Sequence, residues 1–248
     1  KGSKPGIGGR WGVRLLMAGK GVVESMPQVV VLAGGLGTRL GDISKDTPKA
    51  LVEVAGKPIL SHILDWAAVQ GCSKSLVLTG HLGEKFEGFE HQGVELTFFR
   101  EPRPLGTGGA LWNARELIEG SFVLLWGDDL HMVDYRNLLV THLTSGCEMT
   151  MTVTREHSSF NLEYGGGRVL RYDKRRLLPE GLNGYEAGTS VIEKSVLERY
   201  GREGAWSWEE DVYQSMAGSI AAHVDDSPFW DIGTPERLFR LGRFLDEG

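Results

Sequence analysis

The chain has 248 residues, 41% hydrophobic and 24% charged, with a formal net charge of −6. That length supports a sizeable core in one large α/β domain or two small ones, and the acidic balance excludes a nucleic-acid surface, which needs clustered positive charge. No stretch approaches the ~18 apolar residues that span a bilayer. The two cysteines, Cys72 and Cys147, offer neither metal spacing nor a disulfide framework, which suits a reducing, cytoplasmic setting.

Residues 1–26 carry Lys1, Lys4, Arg10, Arg14 and Lys20 against a single acid, Glu24. Their apolar core, Leu15-Leu16-Met17, is too short for a signal-peptide h-region. This stretch reads as a disordered or non-native extension, and residues 27–248 as one domain. Val29-Val30-Val31-Leu32 is the unbroken apolar run of a strand buried on both faces. After it come Ala33, Gly34, Gly35, Leu36 and Gly37, then Thr38-Arg39-Leu40 and a polar loop ending in Pro48-Lys49.

Leu51 to Val54 is a short apolar stretch, and Ile59 to Ala68 recurs at helical spacing up to Gly71, a suitable helix terminator. Leu76 to Gly80 reads as a second strand, Leu82 to Phe89 as a short helix, and Val94 to Phe99 as a third strand. Thr107 to Ile118 reads as a helix with a threonine N-cap, and Phe122 to Trp126 as a fourth strand ending at Gly127-Asp128-Asp129. Alternating strands and helices predict a mostly parallel sheet covered on both faces. Farther on, Asp134 to Thr144 and Glu209 to Ala217 read as helices. Met149 to Thr154, Arg168 to Tyr172, Thr189 to Ile192 and Ile220 to Val224 read as strands. A last helix opens at Thr234-Pro235-Glu236, which supplies N-cap and first-turn proline in order.

The glycine turn after the first strand is the richest motif. Glycine lets a ligand approach the backbone with no Cβ in the way, and Arg39 and Lys49 place two cations beside the N–H groups of a phosphate cradle. The dinucleotide fingerprint starting at Gly35 would need glycine where Leu40 stands, and the P-loop string G-x-x-x-x-G-K-[ST] is absent. The histidines show no metal spacing. Leu105-Gly106-Thr107-Gly108-Gly109-Ala110 is a second glycine loop at a helix entry, on the side of an open α/β sheet where ligands bind. An aspartate at a strand tip, such as Asp128, suits a hard divalent cation.

GGLGTRL followed by Pro48-Lys49 resembles the signature of the sugar-1-phosphate nucleotidyltransferases, and Phe229-Trp230-Asp231-Ile232-Gly233-Thr234-Pro235 is similar to their late W-x-D-x-G-T-P motif. The resemblance implies a Rossmann-like (GT-A-like) α/β fold, with a mixed sheet, helices on both faces and a smaller sugar-binding β subregion. It implies transfer of a nucleotidyl group from a nucleoside triphosphate to a sugar 1-phosphate, with Mg²⁺ and release of pyrophosphate. By resemblance, Arg39 meets the β- and γ-phosphates and Lys49 the α-phosphate. Leu32, Ala33, Gly34, Gly35, Gly37 and Thr38 line the triphosphate, and Gly106, Thr107 and Gly108 leave a flat slot for the base. Asp128 and Asp231 share the metal, with Asp129 at a position where family members vary.

On the sugar side, Tyr172-Asp173-Lys174 resembles the family's acid–lysine pair. Tyr185-Glu186-Ala187-Gly188 parallels an Asn-Ala-Gly strand entry with Glu186 in place of asparagine. Asp173, Lys174, Glu186 and Gly188 are therefore the expected sugar-phosphate residues. The short length is similar to the bacterial branch of heptose-1-phosphate guanylyltransferases and N-acetylmuramate-1-phosphate uridylyltransferases. Two other readings keep the fold: a cytidylyltransferase for a phospho-amino-alcohol such as phosphocholine, with a cage from Trp206, Trp208 or Trp230, or a non-catalytic nucleotide-sugar sensor. Base, sugar and oligomeric state, a homodimer included, stay open.

Overall fold

The computed structural model describes residues 26–35 and 37–247; the N-terminal extension expected at 1–26 thus lies, except for Met26, outside the described residues. Met26 itself packs, partly buried, against the core.

The strands are β1 (Gln28–Leu32), β2 (Glu53–Val54), β3 (Lys57–Pro58), β4 (Lys74–Thr79), β5 (Glu95–Arg100), β6 (Phe122–Trp126) and β7 (Asp129–His131), followed by β8 (Met149–Thr154), β9 (Leu162–Gly165), β10 (Arg168–Tyr172), β11 (Tyr185–Ile192), β12 (Ile220–Val224) and β13 (Phe229–Asp231). The helices are α1 (Ile59–Val69), α2 (Gly106–Asn113), α3 (Tyr135–Ser145), α4 (Lys194–Tyr200) and α5 (Pro235–Glu247). Nine strands form one mixed sheet in the order β5-β4-β1-β6-β11-β8-β12-β10-β9.

The first four strands of that order are parallel, as the strand–helix alternation predicts. From β6 onward the pairing is mainly antiparallel, with one parallel pair, β8 and β12. The apolar run of β1 explains its central place. Val29 and Val31 face a core shared with α1, α3 and α5, while Val30 faces the opposite core with α2, α4 and the Trp206–Met216 segment. Period-2 alternation with both faces apolar is what a doubly covered strand requires.

From β1 the chain builds outward through β4 and β5, then returns to place β6 on the other side of β1. The carboxyl ends of β1 and β6 thus flank a topological switch point, where open α/β sheets bind ligands. Gly127 N–H donates to the Leu32 carbonyl at 2.9 Å and joins those two ends directly.

Several local expectations differ from the structure. The 82–89 helix is a 3₁₀ turn, Gly83–Phe86, and the 209–217 helix is a π-helical turn, Glu209–Tyr213. Thr107 is not an N-cap. Leu105 precedes α2 with no side-chain cap, and the Thr107 hydroxyl instead accepts the Trp208 N–H at 2.9 Å. Asp134 does cap α3, accepting from the Arg136 and Asn137 N–H groups at 2.9 and 3.0 Å.

The fold makes two magnitudes testable. Asp134→Ala, which strips two N–H groups of their acceptor, is expected to cost about 1 kcal/mol. Leu124→Ala, at a 1%-exposed position in β6, is expected to cost about 2–5 kcal/mol. Urea unfolding of the two variants against the parent measures both.

Candidate active site

The first glycine turn leaves β1 at the switch point. The Gly37 carbonyl accepts the Ser44 hydroxyl at 2.7 Å, which folds the following 3₁₀ segment, Thr38–Ser44, back on the turn. Arg39 emerges from that segment exposed, and its Nη2 lies 3.4 Å from where a Cβ at Gly233 would stand. Lys49 follows Pro48 and starts a second short 3₁₀ turn. Its ammonium pairs with Asp128 Oδ2, with the lysine side chain only 11% exposed.

Asp128 lies between β6 and β7, and β13 pairs antiparallel with β7 so that Asp231 stands opposite Asp129. Ile232 N–H donates to the Asp128 carbonyl at 3.1 Å. Asp128 and Asp231 therefore sit on neighbouring backbones beside the Arg39 segment. Asp231 Oδ2 pairs with Arg237 from the first turn of α5, and its Oδ1 accepts the Gly233 N–H at 2.8 Å. Burial opposes ionisation of Asp231, but Arg237, the Gly233 N–H and Lys49 outweigh it and hold the carboxyl below its usual range.

Asp129 has the opposite fate. Burial pushes its carboxyl well up, and the charges of Asp128, Asp231 and Glu186 push the same way against Lys49. Like charges gathered with few cations disfavour ionisation. Gly188 makes that gathering possible: its φ is +71°, and a Cβ there would come within 2.8 Å of Asp129 Oδ2. The glycine occupies a register shift in β11 between Glu186 and Ser190, the kind of bulge that re-aims side chains at sites.

Glu186 is 7% exposed. Its Oε1 accepts from Trp126 Nε1 and from Gly188 N–H, each at 3.1 Å. Burial and the nearby Glu209 nevertheless push its carboxyl up to about 7, against those two donors and Lys174. Lys174 pairs with Glu209 at 2.8 Å, so Lys174, Glu186 and Glu209 form one neighbourhood.

Asp173 stands differently from the expectation. Its two oxygens accept the Leu178 and Leu177 N–H groups at 2.8 and 3.0 Å, which lowers its carboxyl and engages each oxygen inside its own loop. What the structure gives Asp173 is the capping of the loop that carries Lys174. The second glycine loop also departs from the expected open slot at Gly106 and Gly108. A Cβ at Gly108 would overlap the Trp206 ring, and one at Gly106 would lie 2.5 Å from the Trp206 carbonyl. The missing side chains admit Trp206, so on that side the space is filled by protein.

Other residues near the site carried no motif. Arg237 neutralises Asp231. His157 stacks on Tyr185 with ring centroids 3.6 Å apart and brings Nε2 to 4.0 Å from Asp231 Oδ2. A lone arginine or histidine has no spacing to reveal it; Arg237 reaches Asp231 from the first turn of α5, and His157 is set beside it by its stacking on Tyr185. Asp128 and Asp231 offer hard carboxylate oxygens, and the unbalanced acid at Asp129 marks a place short of positive charge. That donor set fits Mg²⁺, which takes one or two carboxylates and completes its shell from water and phosphate. Among the described residues no group of three or more His, Cys, Asp or Glu forms a self-sufficient metal cage.

Carboxylates, cations and a glycine turn gathered at a switch point have the geometry of a ligand-binding α/β site. Residues 28–229 match the nucleotidyl transferase family, and the chain belongs to it. It is 28% identical over 221 residues to a D-glycero-α-D-manno-heptose 1-phosphate guanylyltransferase of Aneurinibacillus thermoaerophilus, covering 84% of this chain and 94% of the relative. It is 32% identical to a mannose-1-phosphate guanylyltransferase catalytic subunit beta of Drosophila pseudoobscura pseudoobscura, covering 84% of this chain but only 60% of that longer protein. The crystal structure of HddC from Yersinia pseudotuberculosis complexed with GMP-PN superposes with a TM-score of 0.76 at 27% identity, covering 89% of this chain and all of that one.

The raised Glu186 carboxyl has a measurable sign. The folded state holds this proton more tightly than the unfolded chain, so stability falls as pH rises from the ordinary glutamate range through about 7, then levels. Glu186→Gln is expected to remove that part of the slope, read as the difference in Tm between parent and variant from pH 4 to about 8.

Proposed function

We propose that the chain joins a nucleoside triphosphate to a sugar 1-phosphate, forming a nucleotide-sugar and releasing pyrophosphate. The observation that carries this reading is the meeting of Lys49, Asp128 and Asp231 beside the Gly34–Arg39 turn, at the switch point of the sheet. The nucleophile is the substrate's own phosphate, so the protein needs no activated serine or cysteine. Its work is positioning and charge stabilisation.

In this reading the turn N–H groups and Arg39 hold the β- and γ-phosphates, the arginine fork matching their oxygens. Lys49 moves from Asp128 to the α-phosphate, where negative charge grows as the sugar phosphate attacks in line and pyrophosphate leaves. Mg²⁺ held by Asp128 and Asp231 would neutralise phosphate charge and orient the leaving group. Arg237 keeps Asp231 ionised. Lys174, released from Glu209, meets the phosphate of the sugar, and Glu186 accepts its hydroxyls. The named relatives support guanosine triphosphate and a manno-configured sugar 1-phosphate as the first pair to test. A cytoplasmic setting suits a reaction that draws on the nucleotide pool.

The competing readings find less support. Trp206 and Trp208 are 6% and 0% exposed, and Trp230 packs on Phe244 with ring centroids 5.2 Å apart. None stands free to cage a quaternary ammonium. A silent sensor would have no need of Arg39, Lys49, Asp128 and Asp231 at one edge.

Lys49→Ala and Asp128→Ala are expected to lower kcat for pyrophosphate release by roughly 10²–10³, with Tm close to the parent value. Unchanged turnover in a folded variant would remove that residue from the mechanism.

A further inference from the structure

β5 closes one side of the nine-stranded sheet, with β4 as its only neighbour among the described strands. The Glu95 and Glu101 N–H groups donate inward to the Ser73 and Thr79 carbonyls at 2.8 and 2.9 Å. By the alternation of a strand, the N–H and C=O groups of Leu96, Phe98 and Arg100 point the other way, off the sheet. Among the described residues no backbone group meets them. An open edge of this kind is a template for another strand, and folded proteins seldom leave one bare. The edge borders a groove of about 670 Å³ between β5 and the 83–91 segment. Its floor is apolar, with the Phe98 ring centroid 5.9 Å from that of Phe86 and 6.3 Å from that of Phe89. Its rim is acidic. Arg100 is paired with Glu84 at 2.8 Å, whereas Glu87, Glu90 and Glu95 are exposed and meet no cation among the described residues.

We propose that this groove and edge receive residues 10–17 of the same chain. Charge selects the N-terminal stretch. Residues 1–25 hold five cations against one acid while the whole chain has a net charge of −6, so the rest of the protein is more acidic still. A second copy of that body would bring acid to acid, whereas the basic stretch complements the rim. Pattern selects 10–17 within it. Trp11, Val13, Leu15 and Met17 alternate with Arg10, Gly12, Arg14 and Leu16, which gives an added strand one apolar face for the groove floor. Reach permits it. Met26 packs on the same core as Phe98, and its Cγ lies 3.6 Å from where a Cβ at Gly71 would stand, two residues before the Ser73 carbonyl that binds Glu95. β1, β4 and β5 are successive strands, so their spacing sets the amino ends of β1 and β5 about 10 Å apart. Residues 18–25 span up to about 28 Å when extended, ample for 10–17 to lie antiparallel to β5.

The test is amide hydrogen exchange on the full chain, read at single residues by NMR. The Leu96, Phe98 and Arg100 amides are expected to exchange about ten- to a hundredfold more slowly in the parent than in Arg10→Glu/Arg14→Glu, because an edge amide is protected only while a strand covers it. Trp11→Ser, which keeps every charge, is expected to lose protection at the same three amides. Glu87→Arg/Glu90→Arg is expected to lose it too, and to regain it when combined with the charge reversal at 10 and 14. The Leu76 and Leu78 amides in β4 report global opening and are expected to stay slow throughout. Fast exchange at the three edge amides of the parent would overturn the proposal, as would protection that survives both segment variants. Protection that rises with protein concentration would overturn it in favour of a second copy. The parent measurement needs no variant, and Trp11→Ser decides where a charge reversal prevents folding.

Discussion

Too much negative charge is gathered at one end of this sheet, and the rest of the site answers to that constraint. Asp128, Asp129, Asp231 and Glu186 converge where β6, β7, β11 and β13 meet, with Lys49 and Arg237 as the nearby cations. Burying carboxylates without partners is costly, and the structure responds in two ways. Asp128 and Asp231 are each given a cation. Asp129 and Glu186 are left with carboxyls that hold their protons into a higher pH range.

Such an arrangement is poised for partner exchange. A triphosphate carries anionic oxygens that compete for Lys49, and a divalent cation competes for the aspartate that Lys49 releases. Each newcomer alone would leave a charge uncompensated, whereas both together restore the balance. Under the proposed function, that charge pattern favours joint binding of metal and nucleotide over either alone. Lys174 is likewise paired with Glu209, and under the proposed function it leaves that pair for the phosphate of the sugar. In that reading, these ion pairs hold the places that substrate contacts would take.

Much of this was legible from the chain. The apolar run Val29 to Leu32 announced a strand covered on both faces, and Phe122 to Trp126 announced another ending at Gly127-Asp128; that the two are neighbours came only with the structure. The two aspartate motifs, about a hundred positions apart in the sequence, meet across the β7–β13 pair. What stayed hidden depends on pairing and side-chain direction. β7, β9 and β13 are strands of three or four residues, too short for alternation to declare itself. Gly106 and Gly108 read as an open slot because sequence cannot show that Trp206, a hundred residues later, enters the space they leave. Asp173 read as a ligand because a carboxylate that folds back on two amides two turns of chain away has the same letter as one that faces solvent.

The β7–β13 pairing also joins parts of the candidate site that lie far apart in chain order. The first glycine turn, Lys49 and Asp128 all precede the midpoint of the fold or fall near it, whereas Asp231 and its cation Arg237 arrive only with the last strand and helix described. During synthesis, a growing chain can shape its triphosphate cradle early yet lacks the closing carboxylate until nearly all of these elements have emerged. Under the proposed function, the two carboxylates offered to the metal are thus separated by nearly half the chain and meet only once its last elements are in place.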